Sequence, residues 1–248
     1  MMKLPTKLKK EPLIDAVFEL RFTSVVPASS ILPGILFSQL NGDKSIERLG
    51  AADLPKQVRD ADPNLQYAPI IRINWGSFLI FISDRSVAVA CKLPYVGWSA
   101  FKPAIIEVVR LLKDVGIIKS VQRYALKYVD LLPALDAKDQ VSLLNIEISL
   151  GNHKLEKEIF QVRVEIPKDG FTHAVQVASS AEATMLDGVK KEGIIVDIDT
   201  AKNIDNEGLD GFLENLPYKL DAIHATNKAM FFDCLKPETI IALEPVYD

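Results

Sequence analysis

Two cysteines and three histidines are all that 248 residues offer to thiol, zinc or imidazole chemistry. Cys91 and Cys234 make neither a close-spaced ligand pair nor a disulfide framework, so reduced thiols are the expected state. His153, His173 and His224 lack the near neighbours that zinc spacing requires. No Gly-x-Ser-x-Gly elbow and no glycine-rich phosphate loop occurs, so neither motif nominates a hydrolase nucleophile or a phosphate cradle. Long apolar runs are missing as well, and none approaches the roughly 18 residues of a membrane helix. Lys3, Lys7, Lys9 and Lys10 precede Glu11 without the apolar core of a signal peptide. There is no basic excess either. The formal net charge is −4, which argues against an electrostatically driven nucleic-acid binder and leaves only a local basic patch open. The expectation is a cytoplasmic protein with no cofactor, no membrane association and no nucleic-acid partner.

What is present is an ordinary globular composition, 48% hydrophobic and 25% charged, in a chain long enough to bury a substantial core. One stretch occurs twice. Phe18 to Ala28 reads Phe-Glu-Leu-Arg-Phe-Thr-Ser-Val-Val-Pro-Ala, and Tyr124 to Ala134 reads Tyr-Ala-Leu-Lys-Tyr-Val-Asp-Leu-Leu-Pro-Ala. Without a gap they match aromatic to aromatic, Leu to Leu, Arg to Lys, then an apolar pair and Pro-Ala. An internal duplication is the expectation, with halves of approximately 11–117 and 118–236 inside a single structural unit, since no linker is visible.

Ala16, Phe18, Leu20 and Phe22 alternate with Asp15, Glu19 and Arg21, the period of a strand with one covered face. Ser30 to Leu40 reads as a short helix capped by Ser29 or Ser30, weakened by Pro33 and Gly34. Residues 41–68 read as irregular, with one helical turn near Lys56. Ile70 to Asn74 is a short strand. Phe78 to Ile82 and Val87 to Cys91 flank Ser83-Asp84-Arg85-Ser86 as a hairpin. Phe78 to Ile82 is apolar on both faces, so it needs cover on both; a second subunit is one candidate for the far side. Phe101, Ile105, Val108, Leu112 and Val115 mark an amphipathic helix capped by Ser99, with Pro103 in its first turn and Gly116 at its end.

Beyond the second copy of the repeated strand, alternation predicts strands over Leu144 to Leu150, Phe160 to Ile166, Thr172 to Ser179 and Ile194 to Asp199. Pro167-Lys168-Asp169-Gly170 is a turn. Leu209 to Leu235 is largely helical, its stripe Leu213, Leu216, Leu220, Ile223 and Phe231, with Pro217 kinking the helix or marking its start. Each half thus runs strand, connector, three-strand meander, long helix. The expected fold is α+β, internally duplicated, with mostly antiparallel sheet and pseudo-twofold symmetry.

Three segments resemble a sporadically distributed family of uncharacterised bacterial and archaeal proteins of roughly this length. They are Lys10 to Phe22 (Lys-Glu-Pro-Leu-Ile-Asp-Ala-Val-Phe-Glu-Leu-Arg-Phe), Pro94 to Phe101 (Pro-Tyr-Val-Gly-Trp-Ser-Ala-Phe) and Arg123 to Asp130 (Arg-Tyr-Ala-Leu-Lys-Tyr-Val-Asp). Leu220 and His224 match a Leu and His late in the last helix of such proteins. Ala125 and Lys127 stand where many of them have Gly and Arg. The resemblance implies no activity.

Candidate sites each compete with a structural role. Asp197 and Asp199 share one strand face and are the weak candidates for a divalent metal, or else a solvated face. His224 borders the last helix's stripe, as a packing histidine or a base. Tyr95, Trp98 and Phe101 line a pocket or anchor their helix to the sheet. Arg21 and Lys127, equivalent in the repeat, point away from Leu20 and Leu126, while Arg72 and Arg163 alternate outward on their own strands. These four could meet an anionic ligand, or pair with carboxylates such as Glu19 and Glu165. Without a catalytic constellation, the leading expectation is a non-catalytic interaction or regulatory protein with a protein partner or a homodimer. The alternatives are a small anionic-ligand module with a pocket between the halves and, behind it, a metal-dependent enzyme.

Overall fold

The computed structural model describes residues 4–63, 65–134, 137–184, 188 and 190–247; Lys3 of the lysine-rich lead-in lies outside them. Mixed helix and strand, mostly antiparallel, make up the chain, at 30% helix and 42% strand. In order come β1 (Lys7–Leu8), β2 (Leu13–Ser24), α1 (Leu32–Gln39), β3 (Lys44–Arg48), α2 (Lys56–Ala61), β4 (Ile71–Trp75), β5 (Phe78–Ile82), β6 (Ser86–Cys91) and α3 (Trp98–Leu111). Then follow β7 (Ile118–Pro133), α4 (Ala137–Ser142), β8 (Ser149–Leu150), β9 (His153–Lys154), β10 (Gln161–Lys168), β11 (Phe171–Thr184) and β12 (Lys190–Glu207). The chain ends in α5 (Leu209–Glu214), α6 (Leu216–Cys234), α7 (Pro237–Ala242) and β13 (Pro245–Val246).

Two compact units form. Unit 1 holds Met1–Asp15, Lys127–Thr200 and His224–Asp248; unit 2 holds Ala16–Leu126 and Ala201–Ile223. The division falls inside β2, β7, β12 and α6.

In unit 2 the hydrogen-bonded strand order is β12-β7-β2-β6-β5-β4-β3. From β3 to β6 this is an antiparallel meander, and β6 then pairs antiparallel with β2. Val25 N–H donates to Ile117 at 2.9 Å, and the Thr23 and Ser120 hydroxyls meet at 2.8 Å. These contacts run β2 and β7 in opposite directions. Phe18, Leu20, Phe22, Ile73, Ile80 and Ile82 are fully buried on one face. Helix α3 closes that face: Phe101, itself fully buried, stacks on Phe78 with ring centroids 6.1 Å apart. Tyr95 and Trp98 meet Phe101 edge-on, the anchoring arrangement. On α5, Phe212 packs edge-on against Tyr124 at 5.5 Å.

In unit 1 the order is β10-β11-β12-β7, with β10 and β11 antiparallel. Val175, Val177, Ile194, Val196 and Ile198 cluster with Met230 and Phe231 of α6, Leu235 just past it, Ile240 of α7 and Leu243 at the end of α7. The lead-in is tied down by β1 pairing with β13 and by Lys10 to Glu244 at 2.9 Å.

Several local expectations are corrected. Helix α3 starts at Trp98 with Gly97 as N-cap at φ 87°, and no side chain caps it. Ser99 is therefore inside the helix, and Pro103 sits in the second turn. The positive φ that Gly supplies without strain replaces a hydroxyl as the start signal. Ser29 and Ser30 form a 3-10 turn ahead of α1, whose N-cap is Ile31. Residues 41–68 contain β3 and a 3-10 turn besides the expected helix at Lys56. Of the strand expected over Leu144 to Leu150 only Ser149–Leu150 (β8) forms, paired antiparallel with β9. Leu144 makes an isolated bridge to Leu235, and Asn145 N–H donates to Cys234 at 2.8 Å, so helix-end backbone takes the bonds a ladder would have used. Pro217 marks the start of α6 and does not kink it.

Candidate functional site

The pairing registers of unit 2 settle which side chains share the sheet face turned away from Phe101. Glu47 lies opposite Arg72, Arg72 opposite Phe81, Phe81 opposite Ala88, and Ala88 opposite Glu19. A second row runs Ser45, Asn74, Leu79, Ala90, Val17. Strand geometry puts both rows on the reverse of Phe18, Ile73, Ile80 and Val89. Val17, Leu79, Phe81 and Ala88 are half-buried there. This is the far side of the doubly apolar Phe78 to Ile82 strand.

The ends of this apolar strip are charged and internally matched. Arg72 ion-pairs with Glu47. At the other end Arg21 and Arg123 both reach Oε2 of Glu19, at 2.7 and 2.8 Å. The Arg21 guanidinium also lies 4.1 Å from the centroid of the Tyr67 ring, a cation–π contact that holds Tyr67 over the sheet. Tyr67 and Pro69 roof a cavity of about 220 Å³ whose walls are Glu19, Phe81, Ala88, Ser83 and Ser86. The two serine hydroxyls bond each other at 2.8 Å. Beside them Asp84 is 4% exposed and paired to Arg59 at 2.9 Å, and it accepts a bond from the Ser29 hydroxyl. Such a buried pair is tolerable only because each charge is met.

Unit 1 treats its candidates the same way. Lys127 pairs with Asp197 at 2.9 Å, and Arg163 with Glu165 at 2.9 Å. Each of the four cations nominated from sequence therefore meets a carboxylate. Arg21 and Arg72 share the face of unit 2, whereas Lys127 and Arg163 belong to unit 1. Asp197 is occupied by Lys127, Asp199 has interactions of its own, and no group of three His, Cys, Asp or Glu among the described residues could hold a metal. Glu47, Tyr67 and Arg123 were not singled out from sequence. Arg123 shares the period of its strand and was legible in principle; Tyr67 sits in a polar stretch whose path nothing local dictates.

The histidines, the cysteines and Asp130 lie apart from that face of unit 2. His173 is fully buried, with Nδ1 at 2.9 Å from the Thr200 hydroxyl, which also accepts from Asn227 at 2.9 Å. Desolvation is the main reason its pKa is lowered from 6.5, so the ring stays neutral. His153 meets Glu158 on the surface at 2.9 Å, and His224 packs edge-on against Tyr128 with centroids 6.1 Å apart. Burial pushes the Asp130 carboxyl up to about 8 and the Cys234 thiol up to about 11; Cys91 is raised as well. Neither thiol has the environment of a nucleophile. Among the described residues no helix is long and apolar enough to cross a membrane. No protein-family model matches the chain, and no curated protein matches it either.

Proposed function

We propose that this chain is a non-catalytic interaction protein, a subunit or regulator that binds a protein partner through the unit 2 face carrying Leu79 and Phe81. One observation supports the reading above the others: a half-exposed apolar strip lies between two ion-paired ends. An apolar centre inside a polar rim is the anatomy of a protein interface. The rim pairs Arg72–Glu47 and Arg21–Glu19–Arg123 contribute orientation and partner discrimination more than raw affinity. An anionic-ligand role would require Arg21, Arg72, Lys127 and Arg163 to leave the carboxylates that now match them. A metal-dependent enzyme would require Asp197 to leave Lys127. The test is affinity purification from the source cells with wild type and with the double variant Leu79→Glu/Phe81→Glu. A partner retained by wild type and lost by the variant is expected, with circular dichroism unchanged. Identical retention by both, or none by either, would sink the interaction reading. A melting-temperature rise with phosphate-containing metabolites would favour the anionic-ligand reading instead.

We also infer that the two sets of strands descend from one repeated element. The observation is the shared nesting of order, β2-β6-β5-β4 and β7-β12-β11-β10, with a long helix following each meander. In both, the opening strand lies beside the last strand of its own meander. Phe18 and Tyr124 then occupy corresponding places and are both buried. Superposing the two sets in an experimental structure should bring these residues into register; a best fit with β2 and β7 out of register by an odd number of residues would remove the duplication.

A further inference from the structure

Strand β10 stands at the end of the strand order of unit 1, and its backbone alternation tells which groups face outward. Phe160 bonds inward: Ser179 N–H donates to Phe160 O at 3.0 Å, and Phe160 N–H donates to the Ser179 hydroxyl at 2.9 Å. Antiparallel strands alternate between bonded and non-bonded pairs. Val162, Val164 and Ile166 therefore spend their N–H and C=O on β11, while Gln161, Arg163, Glu165 and Pro167 turn theirs to the free edge. Pro167 agrees with this, since a residue without an N–H is accommodated in an edge strand on its open side. All of β10 except Val162 is exposed. Val164 is 45% exposed and Ile166 36%, although they lie opposite the buried Val175 and His173.

We infer that β10 is a homodimerisation strand, pairing antiparallel with β10 of a second copy about a twofold axis at Val164. The charges select both the occupant and the register. With Val164 opposite Val164, Arg163 lies across from Glu165 of the other copy and Glu165 across from its Arg163. Val162 meets Ile166 on the other face. Sliding the centre to Arg163 or to Glu165 would set like charges against each other, which cross-strand pairing disfavours. In the chosen register the bonded pairs are Arg163 with Glu165 and Gln161 with Pro167, all residues whose backbone groups face outward. The Arg163–Glu165 contact within one chain at 2.9 Å is between exposed partners and is free to exchange for the intermolecular pair. At the other edge strand, β3, self-pairing about Ile46 would oppose Lys44 to Arg48, two cations. Self-pairing of that edge about Ile46 is opposed by like charges, whereas self-pairing of β10 about Val164 sets opposite charges against each other.

The test begins with analytical ultracentrifugation of the full chain, where a species of twice 27.5 kDa is expected to dissociate on dilution. Glu165→Pro removes one outward N–H per copy and leaves the β11 ladder intact; the dissociation constant should rise at least ten-fold. Arg163→Glu should dissociate the dimer too, and Arg163→Glu/Glu165→Arg should restore it. Under mild oxidation Val164→Cys should cross-link, because the residue faces itself across a closely spaced non-bonded pair, while Ile166→Cys should not. A chain monomeric at all workable concentrations, or a dimer indifferent to the charge swap, overturns the assignment. Loss of the dimer with partner capture by the Leu79–Phe81 face intact would separate its failure from that of the proposed function.

Discussion

Gly193 is the residue whose identity is most tightly dictated by its neighbours. A Cβ placed there would stand 2.1 Å from the Leu132 carbonyl oxygen and 2.8 Å from its carbon. Both atoms are backbone, so no side chain can swing aside, and β12 would have to move off β7 locally. Gly193→Ala should therefore cost more than ~2 kcal/mol, in the range of overpacked cores. Urea unfolding would measure it; a loss under ~0.5 kcal/mol would mean the strands yield there. Gly193 could not be picked out from the sequence, because its requirement comes from Leu132 on a strand distant in the chain. The alternating core residues could, since Leu20 and Leu126 are both fully buried as the period of two implies. The same period placed Arg21 and Lys127 outward but carried no word on their partners. Glu19 is a neighbour on the same strand and was legible, whereas Asp197 arrives from another strand and was not.

Among elements, strands were recovered where alternation coincided with a turn signal on at least one side. The β5–β6 hairpin and the β10–β11 hairpin around Asp169 and Gly170 are of this kind, and both pair as expected. Alternation alone misled over most of Leu144 to Leu150, where Leu144 and Ile146 serve the core of unit 1 and only Ser149–Leu150 pairs with a neighbouring strand. The opposite failure is β3. Lys44–Arg48 is polar and nearly all exposed, so it has no apolar period, and only pairing with β4 makes it a strand. Helices α3 and α6 were found through their stripes, and Pro217 marked the start of α6, whereas the hydroxyl cap expected at Ser99 is not the start of α3. Gly97 opens α3 by its backbone freedom, and the stripe of α6 includes the buried Asn227, a polar residue admitted because Ile198 and Thr200 accept from its amide. The half-exposed face around Leu79 and Phe81 was anticipated as a surface needing cover. Its roof, Tyr67, was not.

For the molecule as a whole, two buried titratable groups pull the pH dependence of stability in opposite directions. Asp130 has a folded pKa of about 8 against an ordinary 3.8. Between these values the unfolded chain releases the proton while the folded chain keeps it, so stability falls as pH rises through that window. His173 is the reverse case, its folded pKa lowered from 6.5 by burial. Below 6.5 the unfolded chain takes up a proton that the folded chain refuses, so stability falls as pH falls. Where the two windows overlap the slopes oppose each other. Above 6.5 Asp130 acts alone, and the expected profile declines from there to about pH 8 before levelling. Asp130→Asn keeps the shape and removes the charge. It should flatten that alkaline decline and raise stability at pH 8 by more than ~1 kcal/mol, since one pKa unit is worth about 1.4 kcal/mol. His173→Asn should flatten the acid side and leave the alkaline limb in place. Chemical denaturation of the three proteins between pH 5 and pH 9 measures both. An alkaline decline that persists unchanged in Asp130→Asn would show that the Asp130 carboxyl is not its source.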